Sequence, residues 1–336
     1  MSLNTLLDLQ IGPLAISPPL ALAPMAGLTH SSFRRLIREI GGCGLVVTEM
    51  ISAAAFSPKA LRSHRMLRFR PEERPIAAQI SGHDPERIAA AAAIAQEHGV
   101  DMVDINAGCP VRQVVGGGSG AALLRDLPLL EAILRAARRA ITIPLTLKYR
   151  AGWDAQHIVA REVAVLAEAC GCAAIALHPR TRTQMYRGQA DWSLIAEAVR
   201  AVRIPVWANG DVRSAADAWR CFRETGCAGL MIGRAVMNNP WVFAQIAAAL
   251  SGEAPREPSL ADRYRLLQRY LDLLEEDIPS PVGVLGKTKY MVGKLQLGSP
   301  GVAAFRQGVM RSRSVAEARE RITAYLEPLV REEEAV

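Results

Sequence analysis

Eight short apolar, β-branched runs recur along the chain, at residues 20–26, 45–50, 76–81, 102–106, 144–149, 173–178, 205–209 and 229–233. They read as continuous apolar segments, the mark of strands buried on both faces in a parallel sheet wrapped by helices. Helical patterns lie between them, several with start signals. Asp84 stands where a cap belongs with Pro85 at the first helical position, Asp126 precedes Pro128, and Ser214 opens another helix. Eight strand and helix alternations within about 230 residues predict a closed (β/α)8 TIM barrel over an open doubly wound sheet. The open sheet would carry G-x-G-x-x-G after its first strand, and Ala23-Pro24-Met25-Ala26-Gly27 stands there instead.

A polar, proline-bearing stretch at 251–258 ends this pattern, and from 260 to 330 the periodicity is helical, with Tyr264, Leu267, Tyr270, Leu271 and Leu274 on one face. The expected organisation is therefore α/β: a barrel catalytic domain over 1–250 and an appended all-helical domain over 251–336. Residues 331–334, Arg followed by three Glu, read as a frayed, solvated helix end.

Composition changes this picture little. Half of the 336 residues are hydrophobic, enough for a large core, and the net charge of +7 permits a polyanionic partner without requiring one. The six cysteines form no CxxC pair and have no His at ligand spacing, which argues against zinc or any other metal. Cys43, Cys172, Cys221 and Cys227 lie beside Gly or in apolar stretches, as reduced filler of a cytoplasmic protein would. The N-terminus shows no basic region followed by an apolar core, and the most apolar run, 88–95, is too short to span a bilayer. A cytoplasmic protein without membrane attachment is expected. Nothing in the pattern sets an oligomeric state, and a monomer is slightly favoured.

In such a barrel, function sits at the C-terminal tips of the strands. A single polar tip says little, because strand ends meet water. Here nearly every tip is polar or small: Pro24, Met25 and Ala26; Glu49; Gln79; Asn106 with Cys109; Lys148 with Arg150; His178 with Arg180; Asn209, Gly210 and Asp211; Gly233 and Arg234. Cys109 follows a buried strand, precedes Pro110, and is trailed by Gly116, Gly117, Gly118 and Gly120, so it belongs to a ligand-facing loop. The last two tips are where barrels bind phosphate through backbone N–H groups. Pro24, Met25 and Ala26 offer small side chains and open backbone against a flat ring. Gln79 carries both a donor and an acceptor for the ring's polar edge, and Lys148 is a cation able to stabilise developing negative charge. Together these tips read as a flavin mononucleotide (FMN) site.

Those tips stand in Ala23-Pro24-Met25-Ala26-Gly27-Leu28-Thr29, Thr48-Glu49-Met50, Gln79-Ile80-Ser81-Gly82, Asn106-Ala107-Gly108-Cys109-Pro110, Leu147-Lys148-Tyr149-Arg150-Ala151-Gly152-Trp153, His178-Pro179-Arg180-Thr181, Ala208-Asn209-Gly210-Asp211 and Met231-Ile232-Gly233-Arg234. With these motifs in this order, the chain resembles the bacterial tRNA-dihydrouridine synthases, most closely their B-type subgroup, from about residue 10 to 250. The resemblance implies electrons passing from NADPH to FMN and then to the C5=C6 bond of a uridine in tRNA. It implies that Met25, Gln79, Lys148, His178, Asn209, Gly210, Gly233 and Arg234 hold FMN, that Asn106 places the uracil, and that Cys109 is the proton donor. The chemistry agrees: hydride added at C6 leaves enolate-like charge at C5 and the C4 carbonyl, and an acid on the opposite face must protonate C5. A thiol ordinarily titrates near about 8.5 and remains mostly protonated at neutral pH. The base must also leave its stack to reach the site.

Secondary expectations follow. Glu49 reads as an acceptor for loop backbone, and Arg180 as either a cofactor contact or the partner of Asp211. Between 281 and 313 stand Lys287, Lys289, Lys294, Arg306, Arg311 and Arg313 without an acidic residue, a candidate phosphate-tracking surface for tRNA. The run Arg62, His64, Arg65, Arg68 and Arg70 is a weaker candidate of the same kind. The chain departs from the B-type pattern where Gln113 replaces the usual Lys, with Arg112 as the alternative substrate-binding cation, and at Lys287-Thr288-Lys289-Tyr290. The glycines after Cys109 suggest a mobile loop closing over the base. The competing function is a flavin barrel acting on a free pyrimidine or another small enone.

Overall fold

The computed structural model describes residues 8–56 and 61–335, with backbone alone at 61–63. The chain opens with an antiparallel hairpin, β1 (Leu9–Ile11) and β2 (Leu14–Ile16). Then come β3 (Leu20–Leu22), β4 (Leu45–Val47), the two-residue β5 (Ile51–Ser52), β6 (Ile76–Ser81), β7 (Met102–Ala107), β8 (Leu145–Gly152), β9 (Ala174–Thr181), β10 (Val206–Asn209) and β11 (Gly229–Ile232). Parallel pairing runs from β6 through β11, β11 returns to β3 with Leu230 opposite Leu20, and β4 joins β3 to β6. The sheet is a closed eight-stranded parallel barrel ringed by helices, and all eight apolar runs are its strands. The hairpin and β5 went unforeseen because strands of two or three residues are too short to show a period.

The expected caps hold. Asp84 accepts from the N–H groups of Glu86 and Arg87 at the start of helix Pro85–Glu97, Asp126 from Leu129 N–H, and Ser214 from Asp217 N–H. Gly226 ends the last of these helices in the left-handed conformation, φ 67°, that glycine adopts without strain.

Alternate strand residues divide the core. Leu20, Leu22, Ile80, Val103, Ile105, Leu147 and Leu177 face outward beneath the helices. Ala21, Ala23, Leu45, Val47, Ala77, Met102, Ala176, Trp207 and Met231 point inward, and Leu9, Ile11 and Ile16 of the hairpin pack with them. Continuing the inward parity toward the C-terminal ends, the side chains become polar: Gln79, Asp104 and Asn106, Thr146 and Lys148, His178, Asn209. Of these all but the partly buried Lys148 are buried. The barrel interior is thus greasy at one end and hydrogen-bonding at the other.

Four further helices follow: Leu260–Asp277, Pro281–Lys294, Val302–Arg311 and Val315–Glu334. Ser259 and Asp262 form a reciprocal capping box at the first. The predicted face Leu267, Tyr270, Leu271 and Leu274 is buried, with Tyr264 half-buried at its edge. The last helix continues to Glu334, braced by the Arg331–Glu327 pair one turn apart, where fraying was expected from 331. These helices dock on the barrel helix Ser31–Ile40. Tyr270 meets Phe33 edge-on, Arg35 pairs with Glu276 and Asp277, and Arg269 grips Glu39 with two hydrogen bonds. No helix among the described residues is long and apolar enough to cross a membrane.

Candidate active site

The C-terminal mouth of the barrel holds a cavity of about 710 Å³. Pro24, Met25, Ala26, Gln79, Asn106, Cys109, Lys148, His178, Asn209, Gly210, Asp211, Gly233 and Arg234 all line it, and Lys294 reaches it from the C-terminal helices. Arg112, Lys287 and Lys289 are not among its lining residues.

The polar groups hold one another in place. Lys148 Nζ donates to Asn209 Oδ1 at 2.7 Å, and Asn209 Nδ2 donates to the Met231 carbonyl at 2.7 Å. Burial pushes the Lys148 ammonium down to about 8, with Arg150 adding to the shift while Asp104 and Cys109 oppose it. Gln79 Nε2 donates to Asp104 at 2.7 Å, and Asn106 Nδ2 donates to Gln79 Oε1 at 2.8 Å. Both ends of the Gln79 amide therefore have protein partners, leaving one N–H and one lone pair for a ligand. Asn106 Oδ1 accepts from the N–H groups of Gly108 (3.1 Å) and Cys109 (2.9 Å), shaping the turn that carries the partly exposed thiol. The five other cysteines are buried and unbridged.

His178 is buried, and burial first, then Arg150, Lys148, Arg180 and Arg234, hold its imidazole far below its ordinary value, so it is neutral. Of the two readings of Arg180, the geometry carries the ion pair. The guanidinium, 1% exposed, grips Asp211 at 3.1 and 2.7 Å and also reaches the carbonyls of Arg187 and Gly188. Burial alone would raise the Asp211 carboxyl, but Arg180 and the Ala190 N–H hold it below its usual value. The Asp211 carboxylate, expected on the cofactor, is thus engaged by Arg180, and its residue sits at φ 59°. Gly210, at φ 128°, has no room for a side chain: a Cβ would lie 2.9 Å from the His178 ring. Gly233 has that room, so packing within the protein does not demand glycine there.

Glu49 accepts from the Gly27 N–H, the loop role expected of it. Gly120 has a packing reason, since a Cβ would come within 2.7 Å of the Cys109 carbonyl, which also accepts from Ala121 N–H. The segment after Cys109 contains the short helix Arg112–Gly116 and the 3-10 helix Gly120–Arg125. Arg150 stands at the tip of β8. It braces the Cys109 turn through the Gly108 carbonyl at 3.0 Å and ties it to Thr181 and Met185. Tyr186, Tyr290 and Asn238 also line the cavity and were missed. Tyr186 lies beneath the guanidinium groups of Arg150 and Arg234, in a loop with no periodicity to announce it.

Within the basic stretch of the C-terminal helices, several cations also have partners inside the protein. Lys287 Nζ donates to the Gly27 carbonyl at 2.9 Å, Lys289 Nζ to that of Ser312 at 2.7 Å, and Arg306 to those of Val292 and Leu295. These cations have structural work that the sequence pattern did not reveal. Lys294 instead lies over the Tyr290 ring at the cavity edge. In the weaker cluster, Arg70 is 3.8 Å from Asp277 and His64 stacks on His98, while the Arg62 side chain lies outside the described residues.

A cation-rich cavity at the C-terminal mouth of a closed (β/α)8 barrel defines a barrel enzyme. A family model described as dihydrouridine synthase (Dus) matches residues 21–330, beyond the barrel and through most of the C-terminal helices. The tRNA-dihydrouridine synthase B of Xanthomonas axonopodis pv. citri is 42% identical over 306 residues, which is 90% of this chain and 91% of that protein. The protein of that name from Xanthomonas campestris pv. campestris is 41% identical with the same shares, and that of Pseudomonas aeruginosa 39% identical over 88% of this chain and 89% of its own. The chain belongs to the dihydrouridine synthase family.

Proposed function

We propose that this enzyme reduces a uridine of tRNA to 5,6-dihydrouridine, with FMN as cofactor and NADPH as the electron donor, in the cytoplasm. The observation that carries the reading is the convergence of Cys109, Asn106 and Lys148 on one cavity at a barrel mouth. The residues present fit FMN. Gly210 and Gly233 bring bare backbone to the cavity, Arg234 stands beside Gly233, and neutral His178 and cationic Lys148 line the same cavity. Pro24, Met25 and Ala26 would receive the flat ring and Gln79 its polar edge. When bound, FMN supplies the hydride.

The protein's own groups account for the rest. Asn106 has an N–H left to orient the uracil after its bond to Gln79. Lys148 places positive charge where the carbonyl of the reduced base becomes electron-rich. Cys109 Sγ–H gives its proton to C5, and solvent re-protonates the thiolate. In this reading residues 251–336 form the tRNA-binding domain, with Lys294 its cation at the cavity and Arg112 a further candidate on the Cys109 side.

The test uses purified enzyme, tRNA and NADPH. The parent should carry flavin and form dihydrouridine. Cys109→Ala should keep its flavin and oxidise NADPH, yet lower dihydrouridine formation by at least about 10²-fold, the usual worth of a positioned acid. Full product formation by that variant would remove Cys109 from the role, and reduction of free uridine as readily as of tRNA would favour a small-molecule substrate.

A further inference from the structure

Asp104 is a buried carboxylate that the reaction above does not use. It is 3% exposed, on the inward face of β7, and both its oxygens accept: Oδ1 from Thr146 Oγ1 and Oδ2 from Gln79 Nε2, each at 2.7 Å. Burial raises the Asp104 carboxyl while the Gln79 and Thr146 hydrogen bonds and Lys148 counter the rise, and its ionised form, which can only accept, decides which way the Gln79 amide faces. With Nε2 held by Asp104, Gln79 must offer Oε1 to Asn106 Nδ2, and Asn106 must then offer Oδ1 to the Gly108 and Cys109 N–H groups. We infer that Asp104 is a positioning residue: through an oriented relay of two side-chain amides, it fixes the turn that carries the Cys109 thiol.

The alternative orientation shows why a charge is needed at the base of the relay. A flipped Gln79 would aim its carbonyl at Asp104, two acceptors facing each other in a buried site, and would leave Asn106 without an acceptor. Replacing the carboxylate by an amide of the same shape removes that penalty, because an amide in its place can donate or accept. A flip of Gln79 then costs only its bond from Asn106, so the flipped state competes and Asn106, still held by the Gly108 and Cys109 N–H groups, is fixed less firmly. Thr146 holds the other oxygen without belonging to the relay, which makes it the internal control.

The test follows iodoacetamide alkylation of Cys109 by mass spectrometry in the flavin-free protein, since the other five thiols are buried. Asp104→Asn and Asn106→Ala should each raise the alkylation rate about fivefold, roughly what one hydrogen bond of ordinary net worth commands, and the double variant should be no faster than Asn106→Ala alone. Thr146→Val should leave the rate within about twofold. Rates that multiply in the double variant, or an Asp104→Asn rate equal to the parent's, would overturn the relay. Should Asp104→Asn fail to fold, Gln79→Met cuts the relay one bond later and enters the same cycle, with the same two outcomes decisive. A second arm rests on the uridine-reductase reading: Asp104→Asn should lower kcat with tRNA about fivefold while KM stays within about twofold, because Asp104 sets the acid and does not touch the RNA. A rise in KM alone would overturn the assignment. If the enzyme forms no dihydrouridine at all, the alkylation arm still decides the relay, so the two failures are distinguishable.

Discussion

The barrel mouth and the C-terminal helices both present basic residues, but they use them differently. At the mouth, Lys148 is held by the Asn209 side chain and Arg180 by the Asp211 carboxylate, with carbonyls bracing Arg150 and the rest of Arg180. A side-chain partner fixes the group's direction, and Lys148, which lines the cavity, keeps two N–H donors beyond the one it gives Asn209. In the helices, Lys287, Lys289 and Arg306 donate to backbone carbonyls, and the first of these reaches across to the barrel. The difference teaches that a count of lysines along a chain does not locate a binding surface. The partner each ammonium finds does.

The largest test of this contrast is Lys148→Met, which should lower dihydrouridine formation about 10²-fold or more by removing charge aimed at the developing enolate. The parent should also lose activity as pH rises past about 8, approaching tenfold per unit, because the ammonium, not the amine, is the useful form and burial has brought its titration there. A profile flat to pH 9.5, roughly a unit and a half beyond that point, would separate Lys148 from the rate. Arg180→Met comes next. It leaves Asp211 without its partner beside a cavity wall and should cost about 2–3 kcal/mol in urea unfolding, with flavin lost along with stability. The smallest effect sharpens the comparison within the helices. Lys294→Ala should weaken tRNA binding and reduce its salt slope by about 1, while Lys289→Ala should leave the slope unchanged and lower only stability, by about 1 kcal/mol. Equal slopes in the two variants would erase the distinction between contact and brace.

Much of this was legible in the sequence. Strands buried on both faces have continuous apolar runs, so all eight were visible, and Asp84, Asp126 and Ser214 announced their helices through local hydrogen-bonding chemistry. The tip residues were visible because a barrel places them by topology alone. Asp104 was hidden inside a run read only as a buried strand. Its parity with Asn106 two positions on was the available signal. Tyr186 had none, lying in an aperiodic loop, and neither did the partner of Lys289, because Ser312 is brought to it by the packing of two helices. Long-range partners of flexible cations are properties of the assembled fold.

The bond from Lys287 to the Gly27 carbonyl has a consequence for how such chains vary. Gly27 lies in the loop that begins with Pro24 and Met25, so part of the cavity wall is tied to a segment 260 residues away in sequence. Together with Phe33 against Tyr270 and Arg35 against Glu276, that tie makes the barrel and its C-terminal helices poor candidates for exchange between relatives. A swapped or truncated tail would bare an aromatic face, take two of its three carboxylates from a nearly buried guanidinium, and loosen a loop of the cavity wall at once. The two parts hold together as one structural unit.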